Sequence, residues 1–360
     1  MPMTFPHLGS AYLVGRIALK ELGIPTIIPP VNSSQSLALG KSISPEEICL
    51  PFKHMAGNLI QAYTSGATHV VMPATLGPCR LGEYGELLKE VLSRNGYNYE
   101  WILIDTPKAI GKKVFIERIG QAIGEKKVSQ RVALKILLTS VKLMKKLDKL
   151  EAKAMNASGY AKDPKKCIGI IRDIRLNLSK AESLKEGLEI IKTSRRKIYM
   201  LDQDRDKKPV RILLTGEIYT LIEPEANRQI EEKLMAMGCS VKKKVTISWW
   251  INHTIKEALL SPIEKMKKKS NYMPCSVGGY AKETVKHILE THVDGAIKVM
   301  PTGCMPEIVA KAVCNKIAKE QNLYILELVF DEMVGEAGYD TRIEAFVDML
   351  ERRKNVFSRN

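Results

Sequence analysis

Residues 68–105, THVVMPATLGPCRLGEYGELLKEVLSRNGYNYEWILID, contain the pattern that decides the fold. The segment THVVMPA is an apolar run typical of a buried strand, and YGELLKEVLSR, from Tyr84 to Arg94, is amphipathic with helical spacing. Asn95 and Gly96 end this helix, and the apolar run YEWILID follows as another strand. A strand, a helix and a strand in succession predict a parallel α/β sheet.

The same alternation continues on both sides of this segment. Upstream, residues 9–22 predict a helix, residues 24–29 a short strand, and Ser44-Pro45-Glu46-Glu47 resembles the start of another helix. After residue 208, helical patterns alternate with four strand-like runs, VRILLTGE, VKKKVTIS, GAIKVMP and LYILELVFDE. The sequence therefore predicts an α/β protein with two Rossmann-like (flavodoxin-like) doubly wound parallel-sheet domains, residues 1–107 and 209–360.

The region between them, residues 108–208, carries most of the excess positive charge. It holds 27 basic and 12 acidic side chains, a net charge of +15 in a chain whose total is +16. The run VALKILLTSVKLMKKLDKLEAKAM keeps apolar residues three and four positions apart, which predicts a long helix. We expect a basic helical segment with one of two roles. It is either a docking face for an acidic protein partner or for CoA phosphates, or a solvated lysine-rich surface without a partner.

Composition and motifs exclude several classes of protein. The chain is 45% hydrophobic and 27% charged, which is typical of a globular protein. It has neither an apolar run of about 18 residues nor a signal-peptide pattern, so we expect a cytoplasmic protein with no membrane span. It also lacks GxGxxG and Walker A motifs, which predicts no NAD and no bound ATP. No nucleic-acid-binding motif accompanies the basic charge, so we expect no nucleic-acid partner.

Three of the seven cysteines stand apart from the others. Cys79 and Cys304 each follow a predicted strand, and Cys49 lies beside a proline and a lysine in EICLPFK. The carboxyl ends of parallel strands lie at one edge of a sheet, and the helix N-termini at that edge favour negative charge. We therefore expect these three thiols to face one cleft between the two domains. Because no CxxC pair is present, the spacing of the cysteines is by itself a weak signal for a metal site. Most of the other cysteines are expected to be buried and to pack as small apolar residues.

Six stretches of the chain resemble the component superfamily of the 2-hydroxyacyl-CoA dehydratases, in particular its short branch of acyl-CoA dehydratase activase-related (CoA protein activase-like) proteins. They are TFPHLGS (4–10), SPEEICLPFKHMAGN (44–58), MPATLGPCRLGEYGELLKEVL (72–92), LLTGEIYTLIEPEAN (213–227), VMPTGCMPEIVAK (299–311) and DEMVGEAGYDTRIEAFVDML (331–350). The resemblance covers both α/β regions and not the basic segment. The chain departs from the pattern at Met333, where a histidine is expected.

The resemblance implies an iron–sulfur redox protein. Its 4Fe–4S cluster would be bound by Cys49, Cys79 and Cys304, with Cys275 as a further candidate if the cluster is the double-cubane 8Fe–9S type of some relatives. A separate ATP-hydrolysing activator would reduce the cluster, and a small substrate such as an acyl-CoA would be reduced or dehydrated. The alternative is a non-catalytic iron–sulfur carrier or scaffold for another anaerobic enzyme. In either case we expect a homodimer.

Other residues near these motifs are weaker candidates. Lys53 and Arg80 are neighbours of the cluster cysteines in sequence, and Glu307 follows Cys304, so all three are expected around the cluster or in solvent. His7 and Glu336 are catalytic candidates. His7 has the alternative of a packing or capping role, and Glu336 is placed in a GEAG loop before the last helix.

Overall fold

The computed structural model describes residues 1–73, 79–105, 110–123, 129–204, 206–259, 280–332 and 335–357. Within these ranges the strands are β1 (Met3–Thr4), β2 (His69–Pro73), β3 (Glu100–Ile104), β4 (Arg211–Gly216), β5 (Ser240–Lys243), β6 (Gly295–Pro301) and β7 (Tyr324–Phe330). The helices are α1 (Ala11–Glu21), α2 (Ser34–Ile43), α3 (Leu50–Thr64), α4 (Tyr84–Arg94), α5 (Lys112–Ile123), α6 (Gln130–Ala157), α7 (Pro164–Lys180), α8 (Leu184–Tyr199), α9 (Ile218–Ile222), α10 (Ile230–Ala236), α11 (Ile247–Leu259), α12 (Ala281–Glu290), α13 (Met305–Glu320) and α14 (Glu336–Phe357).

The first sheet is parallel, with the strand order β1-β2-β3. The strand predicted at residues 24–29 is reduced to a single parallel bridge between Thr26 and Met3 on the free side of β1. Prolines at both ends of that segment remove ladder donors, which explains why the pairing stops there. Counting this bridge, the order corresponds to 2-1-3-4, the flavodoxin-like order, with its switch point between β1 and β2.

The second sheet is also parallel and has the order β5-β4-β6-β7. This is again a 2-1-3-4 order, so its switch point lies between β4 and β6. The two parallel sheets confirm the predicted fold class. The strand predicted over VKKKVTIS ends early, at Lys243, because the Thr246 hydroxyl accepts the backbone N–H of Trp249 and starts α11.

The basic middle segment is helical, as predicted, and its long helix α6 packs against α1, α7 and α8. The apolar stripe of α6, with Leu143 and Leu147, shares one core with Leu13 and Ile17 of α1 and with the inner face of the second sheet. Lys142, Lys145, Lys146 and Lys149 of α6 therefore remain exposed, whereas its acidic residues Asp148 and Glu151 are buried. None of the helices in the described ranges has the length and apolar character that a membrane crossing requires.

Two helix starts differ from the prediction. Ser44 ends α2 instead of starting a helix, and its hydroxyl donates to the carbonyl oxygen of Gly40 at 2.6 Å. The next helix, α3, begins at Leu50 with Pro51 in its first turn, which makes Cys49 its N-cap residue. At the other end of the chain, Glu336 begins α14 and does not lie in a loop before it.

Candidate metal centre

The three cysteines predicted to bind a cluster each stand at the start of a helical segment. Cys49 is the N-cap of α3, Cys304 is the N-cap of α13, and Cys79 precedes a short 3-10 helix at Arg80–Glu83. Free backbone N–H groups at helix N-termini stabilise negative charge, which favours a thiolate at such positions. The sequence thus places three potential thiolates at three donor-rich chain turns.

The structure brings these thiols into one electrostatic neighbourhood, although they come from two different sheets. The charge of Cys49 raises the pKa of Cys79, and the charge of Cys79 raises the pKa of Cys304. The hydroxyl of Tyr84, the first residue of α4, is buried and hydrogen-bonded to Cys49, and its pKa is raised by its burial and by that thiol. Charge interactions therefore link Cys49 and Cys79 of the first α/β region with Cys304 of the second.

Burial controls the protonation of the free thiols. Desolvation raises the pKa of Cys79 and of Cys304, and only hydrogen bonds from the backbone of Leu81 and Glu307, together with the charge of Arg80 beside Cys79, act in the opposite direction. Without a cation these thiols hold their protons. A bound metal would reverse this preference, because a coordinated thiol loses its proton.

Cysteine thiolates are the usual ligands of iron–sulfur clusters, and a cluster needs a different spacing of its ligands than a single metal ion does. Within the described ranges, no group of three or more His, Cys, Asp or Glu side chains is arranged to hold one metal ion. In a cluster, each thiolate binds a different iron, so its cysteines stand further apart than the ligands of one ion. Three cysteines at separate helix starts are compatible with that requirement.

Glu217 is a site residue that the sequence analysis missed. Its half-buried carboxylate accepts hydrogen bonds from the backbone N–H of Tyr219 at 2.9 Å and of Thr220 at 2.8 Å, and desolvation raises its pKa. Its charge raises the pKa of both Cys79 and Cys304. The available signal was its position, because it follows β4 directly and so lies at the switch point of the second sheet.

Gly216 brings Glu217 to this place. Its φ of +129° is a conformation that favours glycine, and a Cβ there would lie 1.9 Å from the carbonyl oxygen of Val299. The chain can therefore turn out of β4 while it stays against β6. Cys304 follows β6, so the two residues flank the same switch point.

Glu307, which was predicted near the cluster, belongs to a buried ion pair below Cys304. Its Oε2 lies 3.1 Å from Nζ of Lys298, and its Oε1 accepts the hydroxyl of Thr284 at 3.0 Å. Desolvation raises the pKa of Glu307, and the charge of Glu307 raises that of Cys304. Lys298 was missed because it lies inside the apolar strand GAIKVMP, where a charge has no visible partner in sequence.

The two predicted basic neighbours differ in their environment. Nζ of Lys53 is buried, lies 2.5 Å from the carboxylate of Glu332 and donates to the carbonyl oxygen of Glu46 at 3.0 Å, so it joins α3 to the end of β7. Arg80 is exposed, with one guanidinium nitrogen 3.4 Å from the carbonyl oxygen of Glu47. Of the two, Arg80 acts on a thiol, because its charge lowers the pKa of Cys79.

The remaining predicted residues are placed less directly. His7 is buried; its backbone N–H donates to Asn58 at 3.0 Å and its Nε2 lies 2.8 Å from the carbonyl oxygen of Pro29, which are packing contacts. Cys275 and Met333 lie outside the described residues, as does the side chain of Glu336. The other described cysteines are buried in hydrophobic cores: Cys167, Cys239 and Cys314.

Comparison with known proteins gives one family. The family model for the 2-hydroxyglutaryl-CoA dehydratase D-component matches residues 18–350 of the chain. This range contains the three thiols and each described strand except β1, and the match confirms the resemblance seen in the sequence motifs. No curated protein matches the chain.

Proposed function

This chain belongs to the 2-hydroxyglutaryl-CoA dehydratase D-component family, and we propose that it is an iron–sulfur redox component that binds a 4Fe–4S cluster through Cys49, Cys79 and Cys304. The observation that carries the proposal is the convergence of these thiols, each at a helical N-terminus, from two sheets into one electrostatic neighbourhood. When bound, such a cluster supplies low-potential one-electron transfer.

The surrounding residues have two opposing effects on the thiolates. The backbone N–H groups of Leu81 and Glu307 donate to the sulfur atoms and stabilise their negative charge. The carboxylates of Glu217 and Glu307 add negative charge close by. Net negative charge around a cluster lowers its reduction potential, so these carboxylates suit a strongly reducing centre.

The substrate, a small acyl-CoA that is reduced or dehydrated, is proposed to bind beside the thiols at the carboxyl ends of the strands. In doubly wound sheets, ligands bind outside the carboxyl ends of the strands at the switch point. Glu217 and Cys304 flank that point in the second sheet, while His7 and Cys79 follow the corresponding strands of the first. A homodimer remains part of this proposal.

The partner that delivers electrons is proposed to be a separate ATP-hydrolysing activator with an acidic docking surface. Helices α6 and α8 form a groove of about 450 Å³ whose floor is apolar and whose rim is basic. The cations of the rim are Lys142, Lys146, Lys149, Lys153, Lys192 and Arg195, against the single acid Glu189. Such a patch attracts an acidic protein surface and speeds its association.

Anaerobic reconstitution with iron and sulfide tests the cluster. We expect about four irons per chain in the wild type and large losses in C49A, C79A and C304A. C314A and C239A are the matched controls, because these buried cysteines pack in cores and should leave the iron content unchanged. A wild type without iron, or full loading of the three variants, would overturn the proposal.

Two further measurements separate the alternatives. C275A leaves the iron content unchanged for a 4Fe–4S cluster and reduces it for a double-cubane cluster with additional cysteine ligands. Turnover of acyl-CoA with activator, ATP and reductant supports an enzyme, whereas a loaded protein that only transfers its cluster or electron to another enzyme supports a carrier.

A further inference from the structure

The surface of α6 is positively charged and exposes no acid. Both acidic side chains of this helix are buried and already have partners inside the chain: Glu151 pairs with Arg175 at 3.0 Å, and Asp148 accepts the backbone N–H of Ser248 at 2.7 Å. The exposed cations of α6 are Arg131, Lys135, Lys142, Lys145, Lys146 and Lys149. The charge of these cations is therefore not neutralised by an exposed acid on their own helix.

The first part of α6 also exposes leucine side chains. Leu134, Leu137 and Leu138 are 55%, 60% and 61% exposed. Two of them, Leu134 and Leu138, line a surface groove of about 360 Å³. The charged residues that line the same groove are Arg131, Lys135 and Lys142. Neighbouring apolar side chains that are this exposed, with a polar rim around them, are typical of a surface that another molecule covers.

This groove adjoins the basic groove between α6 and α8, because Lys142 lines both. The residues of α6 that line the two grooves recur three and four positions apart, which keeps them on one face of the helix. From Arg131 to Lys153 this face extends over about 33 Å. The lining residues of the two grooves together are called the α6 track below.

The second half of the α6 track keeps the same combination of charge and apolar surface. Leu150 and Ile191 form its floor, and Glu189 is the acid among its lining residues. Glu189 pairs with Lys192 of its own helix at 3.3 Å, so it leaves the lysines of α6 available to a partner. A groove between two helices is suited to a third helix, whose apolar side chains dock three and four positions apart.

We propose that the α6 track binds one acidic amphipathic helix of a partner protein. Its acidic side chains would face the lysines, and its apolar side chains would cover Leu134 and Leu138 and fill the floor at Leu150. The proposal rests on the proposed function for the identity of the partner, since the activator is the protein expected to present this helix. A flat bilayer does not fill a groove between helices, and duplex DNA has no apolar face to cover the leucines, so both fit the track less well.

A designed peptide tests the surface without the activator. The probe is a labelled helix of about 22 residues, the length of the track, with leucines in one stripe and glutamate and alanine elsewhere. Fluorescence anisotropy measures its binding to the full-length chain. We expect L134Q/L138Q to bind it roughly tenfold or more weakly than the wild type does. L176Q is the matched control, because Leu176 on α7 is 55% exposed and lines neither groove, and it should keep the wild-type affinity.

Salt separates the two contributions to binding. K142Q/K149Q should bind the probe more weakly at low salt, and this deficit should shrink as salt screens the charges. The deficit of L134Q/L138Q should persist at high salt. Wild-type affinity in L134Q/L138Q, equal binding of a scrambled peptide without the leucine stripe, or full displacement of the probe by phosphatidylserine vesicles or duplex DNA at equal charge would each overturn the proposal.

Reduction by the activator tests the identity of the partner. L134Q/L138Q should be reduced by activator and ATP roughly tenfold or more slowly than the wild type, while its iron content and its reduction by dithionite stay unchanged. A wild-type rate with the activator would contradict the proposal. Iron content reports on the cysteines alone, so failure of cluster binding in the reconstitution experiment leaves the peptide test intact.

Discussion

Nζ of Lys298 lies 3.1 Å from Oε2 of Glu307 and donates to the backbone carbonyl of the same residue at 2.8 Å, with both side chains buried. Lys298 belongs to the central strand β6, and Glu307 to the first turn of α13, whose N-cap is Cys304. This pair therefore fixes the start of the helix that presents a proposed cluster ligand.

Removal of one member of this pair should be costly. We expect K298M to lower the free energy of unfolding by roughly 3–5 kcal/mol, because it leaves the carboxylate of Glu307 buried without its cation. Urea unfolding measures the loss. The double variant K298M/E307Q should recover part of it, since the unpaired charge is then gone, whereas a single variant as stable as the wild type would show that the pair is not needed.

The crossing of α2 and α3 gives a second prediction about stability. A Cβ on Gly57 would lie 1.8 Å from the carbonyl oxygen of Ser36, so G57A should destabilise the chain by about 1–3 kcal/mol or more. G169A on α7 is the matched control, because a Cβ there meets nothing within 4 Å. The control should gain roughly 0.5–1 kcal/mol from helix propensity. Equal effects of the two changes in urea unfolding would contradict the close crossing.

Stability should fall below neutral pH because of two buried histidines. Burial lowers the pKa of His54 and His287 to about 4, with nearby cations adding to the effect. The unfolded chain protonates these groups near pH 6.5, so unfolding takes up protons between pH 6.5 and 4. Stability is therefore full above pH 6.5 and is lost as the pH falls towards 4.

The expected slope is about 1.4 kcal/mol per pH unit for each histidine in that window. Urea unfolding at a series of pH values measures it. H287Q should remove about half of the slope that the two residues contribute. A slope that is unchanged in H287Q would show that the protonation of His287 is the same in the folded and unfolded states.

Glu217 should set the potential of the bound cluster. In E217Q the carboxylate charge beside Cys79 and Cys304 is removed while the side-chain size is kept, so we expect a higher reduction potential. A shift on the order of 60 mV corresponds to one tenfold change in a one-electron equilibrium. A redox titration followed by EPR detects it, with E90Q, at an exposed carboxylate on α4, as the control. A lower or unchanged potential would contradict this role.

Charge reversal tests the docking groove. K142E/K146E/K149E should slow reduction of the chain by its activator at least tenfold at low salt, and the difference should shrink as salt screens the interaction. The control carries three reversals at exposed lysines outside the groove, K89E/K316E/K319E. Unchanged reduction in the groove variant would indicate that these lysines are only a solvated surface.

Local pattern determined much of the fold. The strands at His69–Pro73 and Gly295–Pro301 and the long helix at Gln130–Ala157 follow from apolar periodicity, which neighbouring residues encode. The three cysteines proposed as ligands were singled out mainly by the resemblance of their motifs to a known family, since their spacing alone is a weak signal for metal. Local signals failed at Ser44, where a plausible cap ends one helix and the next begins at Leu50.

Only the tertiary structure decided which of these residues meet. The amino-acid sequence by itself determined the parallel α/β fold class and the basic helical segment, and it supplied the motifs of the three thiols that we propose as ligands. It did not reveal Glu217 beside Cys304, the pairing of Lys53 with Glu332 across 279 positions, or the carboxylate that neutralises Lys298. The physical reason is that a charged side chain inside the protein is stabilised by partners that are far away in sequence. The order of the strands brings these partners together, and that order is set by packing between distant segments.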